Sequence, residues 1–452
     1  MNKNTSFPFP IPSLPVNKVG IVLGSMILGE WVVNDLIHIP AGGVALITAT
    51  AGAWFLSRSS KGSFKAPMTV KGWISRCNEV LAQFQTLEGE EEYSINSQKR
   101  ENDLEQITQR SNPQSLALVS TLSNGLPEIN TFKEAIAGPI PVKLSWLPSS
   151  LPIQNDFWKY PTNLFEKDSI LYYLPLPLRA VDLIWLEKVP LDQPSWILVT
   201  WEDSSSWNEH HKALLSQLPD RWNNRVLQWN GQNEQIKDVL TPVRRYLEQP
   251  GKNLDLTRQR LLSRLHSSWQ SDLELLRREK FRVIQNRSQW LVAGAVFASP
   301  VPTTDLLSVA VVNGLMIQEM GKLWACNIDP NLLKAVARQL ALAALAQGVV
   351  EWSGQALLGV AKLHGGTWIA AGSMQALSAA YLTRVVGRSM ADWMALNNGV
   401  SQPDLELLHH QAPELVSKAA ASEKVDWNSF IQQANEWLKD TINDPKQQLG
   451  LG

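Results

Sequence analysis

The stretch from Ser115 to Ile136, SLALVSTLSNGLPEINTFKEAI, holds the residues closest to a recognisable chemistry. An apolar run leads into a polar loop, the loop closes on Gly125, and a helical pattern follows. A phosphate-binding loop, G-x-x-x-x-G-K-[ST], has that layout: backbone N–H groups cradle the phosphates, a lysine reaches the β- and γ-phosphates, and a hydroxyl holds Mg²⁺. In this chain Ser120 stands at the first glycine position, and Leu126 and Pro127 stand where lysine and hydroxyl belong. Leu126 brings no charge. Pro127 brings neither hydroxyl nor N–H, although its fixed φ suits the first turn of a helix.

No second catalytic set competes. His210-His211 and His409-His410 are adjacent pairs that point to different sides of a helix and lack the i, i+4 spacing of a zinc-binding H-E-x-x-H. Cys77 and Cys326 have no metal-ligand spacing and read as two reduced thiols. Gly251-Lys252 and Gly321-Lys322 have no glycine five residues before the glycine, so neither rescues a phosphate loop. The sequence therefore predicts no catalytic residue, no metal and no cofactor.

The elements that position the loop can be read around it. Candidate strands are 116–120, 141–147, 169–174, 182–186, 196–201 and 225–229; candidate helices are 128–137, 206–216 and 235–248. Short apolar runs separated by helical segments predict a mostly parallel sheet with helices on both faces. Ligands of such sheets bind at the carboxyl ends of the strands, where 120–125 and 201–205 would lie.

In order and spacing these elements resemble a small Ras-like or Era-like GTPase domain over residues 113–250. LALVSTLSNGLPEINTF resembles that family's strand, loop and first helix, and ILVTWEDSSSW resembles its guanine-reading N-K-x-D strand end. On that resemblance Thr200 and Trp201 replace the Asn and Lys, and Asp203 keeps the aspartate position. The family's metal-binding D-x-x-G is replaced by 174–178, which has two prolines and neither acid nor glycine. The resemblance thus implies a degenerate P-loop domain, with Ser120, Gly125, Leu126, Pro127, Thr200, Trp201 and Asp203 at its lapsed nucleotide positions. What the resemblance implies is a pseudo-GTPase, with no nucleotide binding expected. Asp203 reads as a turn cap.

Ahead of the sheet, a polar segment (1–19) precedes an apolar one (20–57) that reads as a transmembrane hairpin joined at Pro40-Ala41-Gly42-Gly43. Two spans of about 18 residues would each cover about 27 Å. Arg58, Lys61, Lys65, Lys71 and Arg76 follow with no acid among them, which predicts that the following chain is cytoplasmic. One span preceded by an interfacial helix is the alternative, because Glu30, Asn34 and Asp35 interrupt the first half. Residues 58–112 read as a basic juxtamembrane stretch and helical neck, with Trp73, Ile74, Val80, Leu81, Phe84 and Leu87 on one face and a solvated polar connection after them.

Beyond Pro250-Gly251 the pattern is helical. Leu262, Leu265, Trp269, Leu276 and Val283 predict a long amphipathic helix over 254–288, packed on its own domain rather than in a coiled-coil dimer. WLVAGAVFASPVPTTDLLSVAVVNGLMIQEMGKLW and the Ala/Leu/Gly-rich run after it resemble the helical domain of unknown function of YcjF-like bacterial membrane proteins, in a layout similar to that of cyanobacterial members. Pro300, Pro302 and Asp305 carry its P-x-P-x-x-D motif, Asp305 reading as a helix cap. Gly365, Gly366, Ala370, Gly372, Ala376 and Ala380 would permit close helix packing. The helical domain is placed at 251–400, and amphipathic helices at 401–452 carry Trp427, Phe430, Ala434 and Leu438 on one face.

The fold class read from the sequence is α/β plus all-α: a membrane hairpin, a degenerate GTPase-like parallel sheet and a C-terminal helical bundle. A formal net charge of −1 over 452 residues gives no bulk attraction for nucleic acid. Nineteen tryptophans suit cores, interfaces and membrane belts alike, so they do not decide among partners. The expected function is a non-enzymatic, membrane-anchored scaffold or assembly factor of a bacterial inner or thylakoid membrane, its bulk cytoplasmic. Its expected partners are the lipid bilayer and a membrane-protein complex, with a second copy of the chain as a further option. A divergent GTP-dependent remodelling or trafficking protein and a membrane transport component are the alternatives.

Overall fold

The computed structural model describes residues 66–111, 113–122, 124–148, 160–201, 207–298, 302–326, 330–364, 373–397 and 405–443. The expected hairpin with Glu30, Asn34 and Asp35 lies outside the described residues, as do Asp203, Pro300, Gly365, Gly366, Ala370 and Gly372. Among the described residues no helix is long and apolar enough to cross a membrane. Residues 67–273 form one compact unit, and those from 274 onward a second.

The first unit opens with helices α1 (Val70–Leu87) and α2 (Glu90–Thr108). Thr69 caps α1, its hydroxyl accepting the Gly72 N–H at 3.1 Å, and Trp73, Cys77, Val80 and Phe84 form the buried stripe. The polar stretch after α1 is a second helix of the neck. Its charges still face water, and Arg100 ties it back through a bidentate pair with Glu88 (2.7 and 2.9 Å) while covering the Phe84 ring.

Five strands follow: β1 (Gln114–Ser120), β2 (Val142–Pro148), β3 (Ser169–Pro175), β4 (Ser195–Thr200) and β5 (Val226–Trp229). All pairs are parallel, in the order β2-β1-β3-β4-β5. Between them lie α3 (Ile129–Ile136), α4 (Thr162–Phe165), α5 (Ala180–Lys188) and α6 (Trp207–Gln217), and after β5 come α7 (Asn233–Val239) and α8 (Thr241–Leu247). Leu116 and Leu118 of β1 pack with Phe132, Ile236 and Val243 on one face; Ala117 and Val119 pack with Leu164, Trp185 and Leu214 on the other. Every residue of β1 is buried, as an interior strand of a sheet covered on both faces requires.

Two sequence expectations change here. Residues 182–186 are not a strand but the middle of α5, whose short apolar run buries Asp182, Trp185 and Leu186 while exposing Val181 and Ile184. The single helix expected over 235–248 is two, meeting at Leu240 with Pro242 in the first turn of α8.

Helix α9 (Pro250–Ala298) starts earlier and ends later than the expected 254–288. Leu262, Trp269 and Leu273 are buried, but Val283 is 68% exposed and is not part of the seam. The buried stripe continues instead through Arg277, Phe281, Gln285, Gln289 and Val292, three of which are polar. Beyond it come α10 (Pro302–Leu323), α11 (Pro330–Ala346), α12 (Val349–His364), α13 (Ser373–Leu396), α14 (Leu405–Val425) and α15 (Trp427–Asn443). Helix α13 is the axis of the second unit, with Ala376, Ala380, Val385, Gly387 and Trp393 buried. A Cβ on Gly387 would come within 3.1 Å of Met316 Cε and 3.5 Å of Phe281 Cζ, so the glycine lets α9 and α10 approach closely. Phe430, Ala434 and Leu438 of α15 are buried, with Trp427 packed against the same core.

Candidate functional site

In this strand order the chain leaves β1 toward opposite sides of the sheet, so the crevice beyond the carboxyl ends of β1 and β3 is where a doubly wound fold would seat a ligand. Ser120 ends β1 and is 4% exposed; its hydroxyl accepts the Leu122 N–H at 3.2 Å, turning a loop donor inward. Gly125 is exposed with φ of +75°, a left-handed conformation that glycine adopts without penalty. Leu126 and Pro127 are half-buried. Helix α3 begins at Ile129, so Pro127 precedes the helix rather than filling its first turn. Glu128 is the residue before α3. Its carboxylate brings negative charge to the helix end where a phosphate would otherwise sit. Thr200, 7% exposed, donates its hydroxyl to Tyr173 Oη at 3.2 Å, and Trp201 beside it is half-buried.

Four residues absent from the sequence-level site meet at this switch point: Thr121, Tyr172, Arg179 and Asp182. Asp182 is fully buried at the third position of α5. Its Oδ1 accepts Tyr172 Oη–H (2.7 Å), the Thr121 hydroxyl and Arg179 Nη2 (3.1 Å). Its Oδ2 accepts Arg179 Nε (2.9 Å) and the Arg179 backbone N–H (3.2 Å). The last bond is one half of a capping box; the other half cannot form, because an arginine side chain has no acceptor. Arg179 also donates to the Thr121 hydroxyl. Bonding to Asp182 holds the Arg179 guanidinium above its ordinary value. Burial first, and the Asp182 charge second, push the Tyr172 phenol well above its ordinary range. The network joins the end of β1, the body of β3 and the start of α5, and its polar groups satisfy one another. One signal in the sequence pointed to it: Arg-x-x-Asp at the head of an apolar run fits a helix N-terminus better than a strand.

At the opposite, amino ends of the strands the buried charge fastens the sheet. Fully buried Asp168 accepts the Ser115 N–H at 2.6 Å and the Ser115 hydroxyl at 2.8 Å, and pairs with Arg110 at 3.2 Å. Arg260 of α9 donates to the Lys167 carbonyl at 2.7 Å. In the second unit Glu423, 1% exposed, is held between Arg384 (2.6 Å) and Arg388 (3.0 Å), and Gln289 accepts from Arg384 at 3.2 Å.

The comparisons with known proteins bear on this second unit. Residues 260–421 match a domain of unknown function, DUF697. The match takes in most of α9 and α14 and all of α10–α13, and with them Pro302 and Asp305. Pro302 is the first residue of α10, so Asp305 lies inside the DUF697 helix rather than at its cap. The buried Arg384 belongs to this domain, while its partner Glu423 falls just past the matched span. No curated protein and no solved structure matches the chain. Cys77 and Cys326 are free thiols, and burial pushes them up to about 12 and about 11. His409 and His410 are exposed on α14; the side chains of His210 and His211 lie outside the described residues. Among the described residues no group of His, Cys, Asp or Glu is arranged to hold a metal.

Proposed function

We propose that this protein is a membrane-anchored scaffold or assembly factor, whose parallel-sheet domain is a GTPase-like fold that binds protein instead of nucleotide. One observation carries the reading: at the β1–β3 switch point the buried Asp182 carboxylate is held by Arg179, Thr121 and Tyr172, so the polar groups there serve the fold. Leu126 and Pro127 at the phosphate positions support it, as does Glu128 before α3, where an acid opposes an incoming anion. The membrane anchor rests on the apolar sequence 20–57 and its basic flank. The DUF697 match supplies no activity of its own to set against the reading.

The test is a melting curve of the full chain in detergent with millimolar Mg-GTP or Mg-ATP. A ligand at a hundred times its Kd stabilises by about 2.7 kcal/mol, a shift of several degrees. The expected shift is within 1 °C, about the scatter of such measurements. A saturable rise of several degrees with either nucleotide would overturn the reading.

A further inference from the structure

The edge of the sheet opposite the switch point carries a second surface, built where α5 runs out and β4 and β5 begin. A cavity of about 50 Å³ opens there between Pro190, Leu191, Ser195, Arg221, Trp222 and Arg225. Ligand pockets for cofactors span roughly 300–1,000 Å³, so this one has room for a single small polar group and not for a nucleotide. Its walls are unequal in chemistry. Leu191 is 81% exposed on the lip, and α5, which leads into it, also exposes Val181 and Ile184 at 40% and 46%.

The opposite wall is basic. Arg221 turns its guanidinium onto the end of α5, donating to the carbonyls of Val189 (2.8 Å), Leu186 and Glu187 (3.3 Å). It thereby satisfies orphan acceptors of that helix and is fixed in place. The Trp222 indole lies beneath that guanidinium, with 5.1 Å between its ring and Arg221 Cζ. Trp222 is 2% exposed, and its indole N–H finds no acceptor among the described residues. Arg225 is exposed at the head of β5. Among the described residues neither guanidinium has a carboxylate in ion-pair contact. Burial and the neighbouring Arg225 charge both lower Arg221, which is the effect of two cations facing one space. Glu187 acts on Arg221 only at a distance, and the Asp192 charge raises Arg260 and Arg264.

We infer that this edge docks a protein segment in which a carboxylate side chain is flanked by apolar residues, the carboxylate meeting Arg225 and the apolar neighbours covering Leu191. Charge complementarity selects the partner: an exposed arginine with no internal acid, beside a guanidinium already locked in orientation, pairs with an anion. Leu191 on the lip offers an apolar contact beside that anion site. The surface deepens the protein-interaction reading and rests on it, but its test contains no nucleotide, so either can fail alone.

Random heptapeptides displayed on phage, panned in parallel over the full chain and its Arg225→Glu and Leu191→Asp variants, test the assignment. Both positions are exposed, and melting curves matching the parent within 1 °C verify the fold. Arg225→Gln, which removes the charge without reversing it, replaces the first variant if the reversal unfolds the chain. The expected outcome is an enriched consensus with Asp or Glu beside apolar residues, whose affinity falls at least tenfold on either variant. No enrichment, a consensus without an acid, or equal binding to the Arg225 variant would overturn it.

Discussion

Replacing Asp182 with alanine removes the acceptor on which Tyr172, Thr121 and Arg179 converge. Tyr172 is fully buried, so its hydroxyl loses its carboxylate acceptor and keeps only Thr121 beside it, at a cost of about 1–3 kcal/mol. Arg179 is 41% exposed; its charge returns to water and adds at most about 1 kcal/mol. Losing the carboxylate at the start of α5 adds about 0.5–1 kcal/mol. Removing a buried charge also relieves that charge's own desolvation, which places the net near 2–3 kcal/mol. Hydrogen exchange of β1 and β3 in the intact chain reads this directly. Every 1.4 kcal/mol is tenfold, so exchange by local opening should quicken about 30- to 150-fold. Adding Tyr172→Phe to the alanine variant removes the Tyr172 hydroxyl and should recover about 1–2 kcal/mol. Exchange unchanged within threefold, or a double variant in which the two losses simply add, would refute the network as the element joining β1, β3 and α5.

Other expectations follow from the same geometry. Glu423→Gln leaves Arg384 buried without its anion and should cost the second unit about 2–4 kcal/mol, seen as faster exchange in α13 and α14; exchange at the parent rate would show the pair to be dispensable. At pH 8 only about one Cys77 thiol in ten thousand and one Cys326 thiol in a thousand are ionised, so iodoacetamide should label Cys326 first, and both only slowly until urea unfolds the chain; immediate labelling of Cys77 would contradict its burial. Buried His266 packs edge-on to Trp73 at 5.7 Å, and burial first, then Arg76, lower its pKa. A lowered folded pKa contributes stability that is present above about pH 6.5 and lost as pH falls through the folded value, so α1 should exchange faster at pH 5 than at pH 7 after correction for intrinsic rates. His266→Phe should abolish that difference; a difference that persists would assign it to another group.

The sheet was readable where the code is local. Five runs of four to seven residues are strands because apolar residues bounded by turn signals have few alternatives. The same rule misread α5, because AVDLIWLEK is apolar on the face it buries and on the face it exposes. Periodicity also missed half the seam of α9. Arg277, Gln285 and Gln289 are buried through Leu323, Arg384 and Gln433, partners that no periodicity reveals. The network at the β1–β3 switch point was not legible, since Thr121, Tyr172 and Asp182 become neighbours only through the parallel pairing of β1 with β3.

The all-parallel sheet also has a consequence in time. β1 is buried along its whole length, yet both strands that flank it lie later in the chain, β2 from 142 and β3 from 169. A chain emerging from the ribosome at about 5–20 residues per second therefore presents LALVS for roughly 3–11 seconds before its second neighbour is complete. Through that interval β1 carries open strand edges, two until β2 is complete and one thereafter, that the finished fold hides. Whatever shields them, a chaperone or the newly made α1 and α2, must act before β3 does.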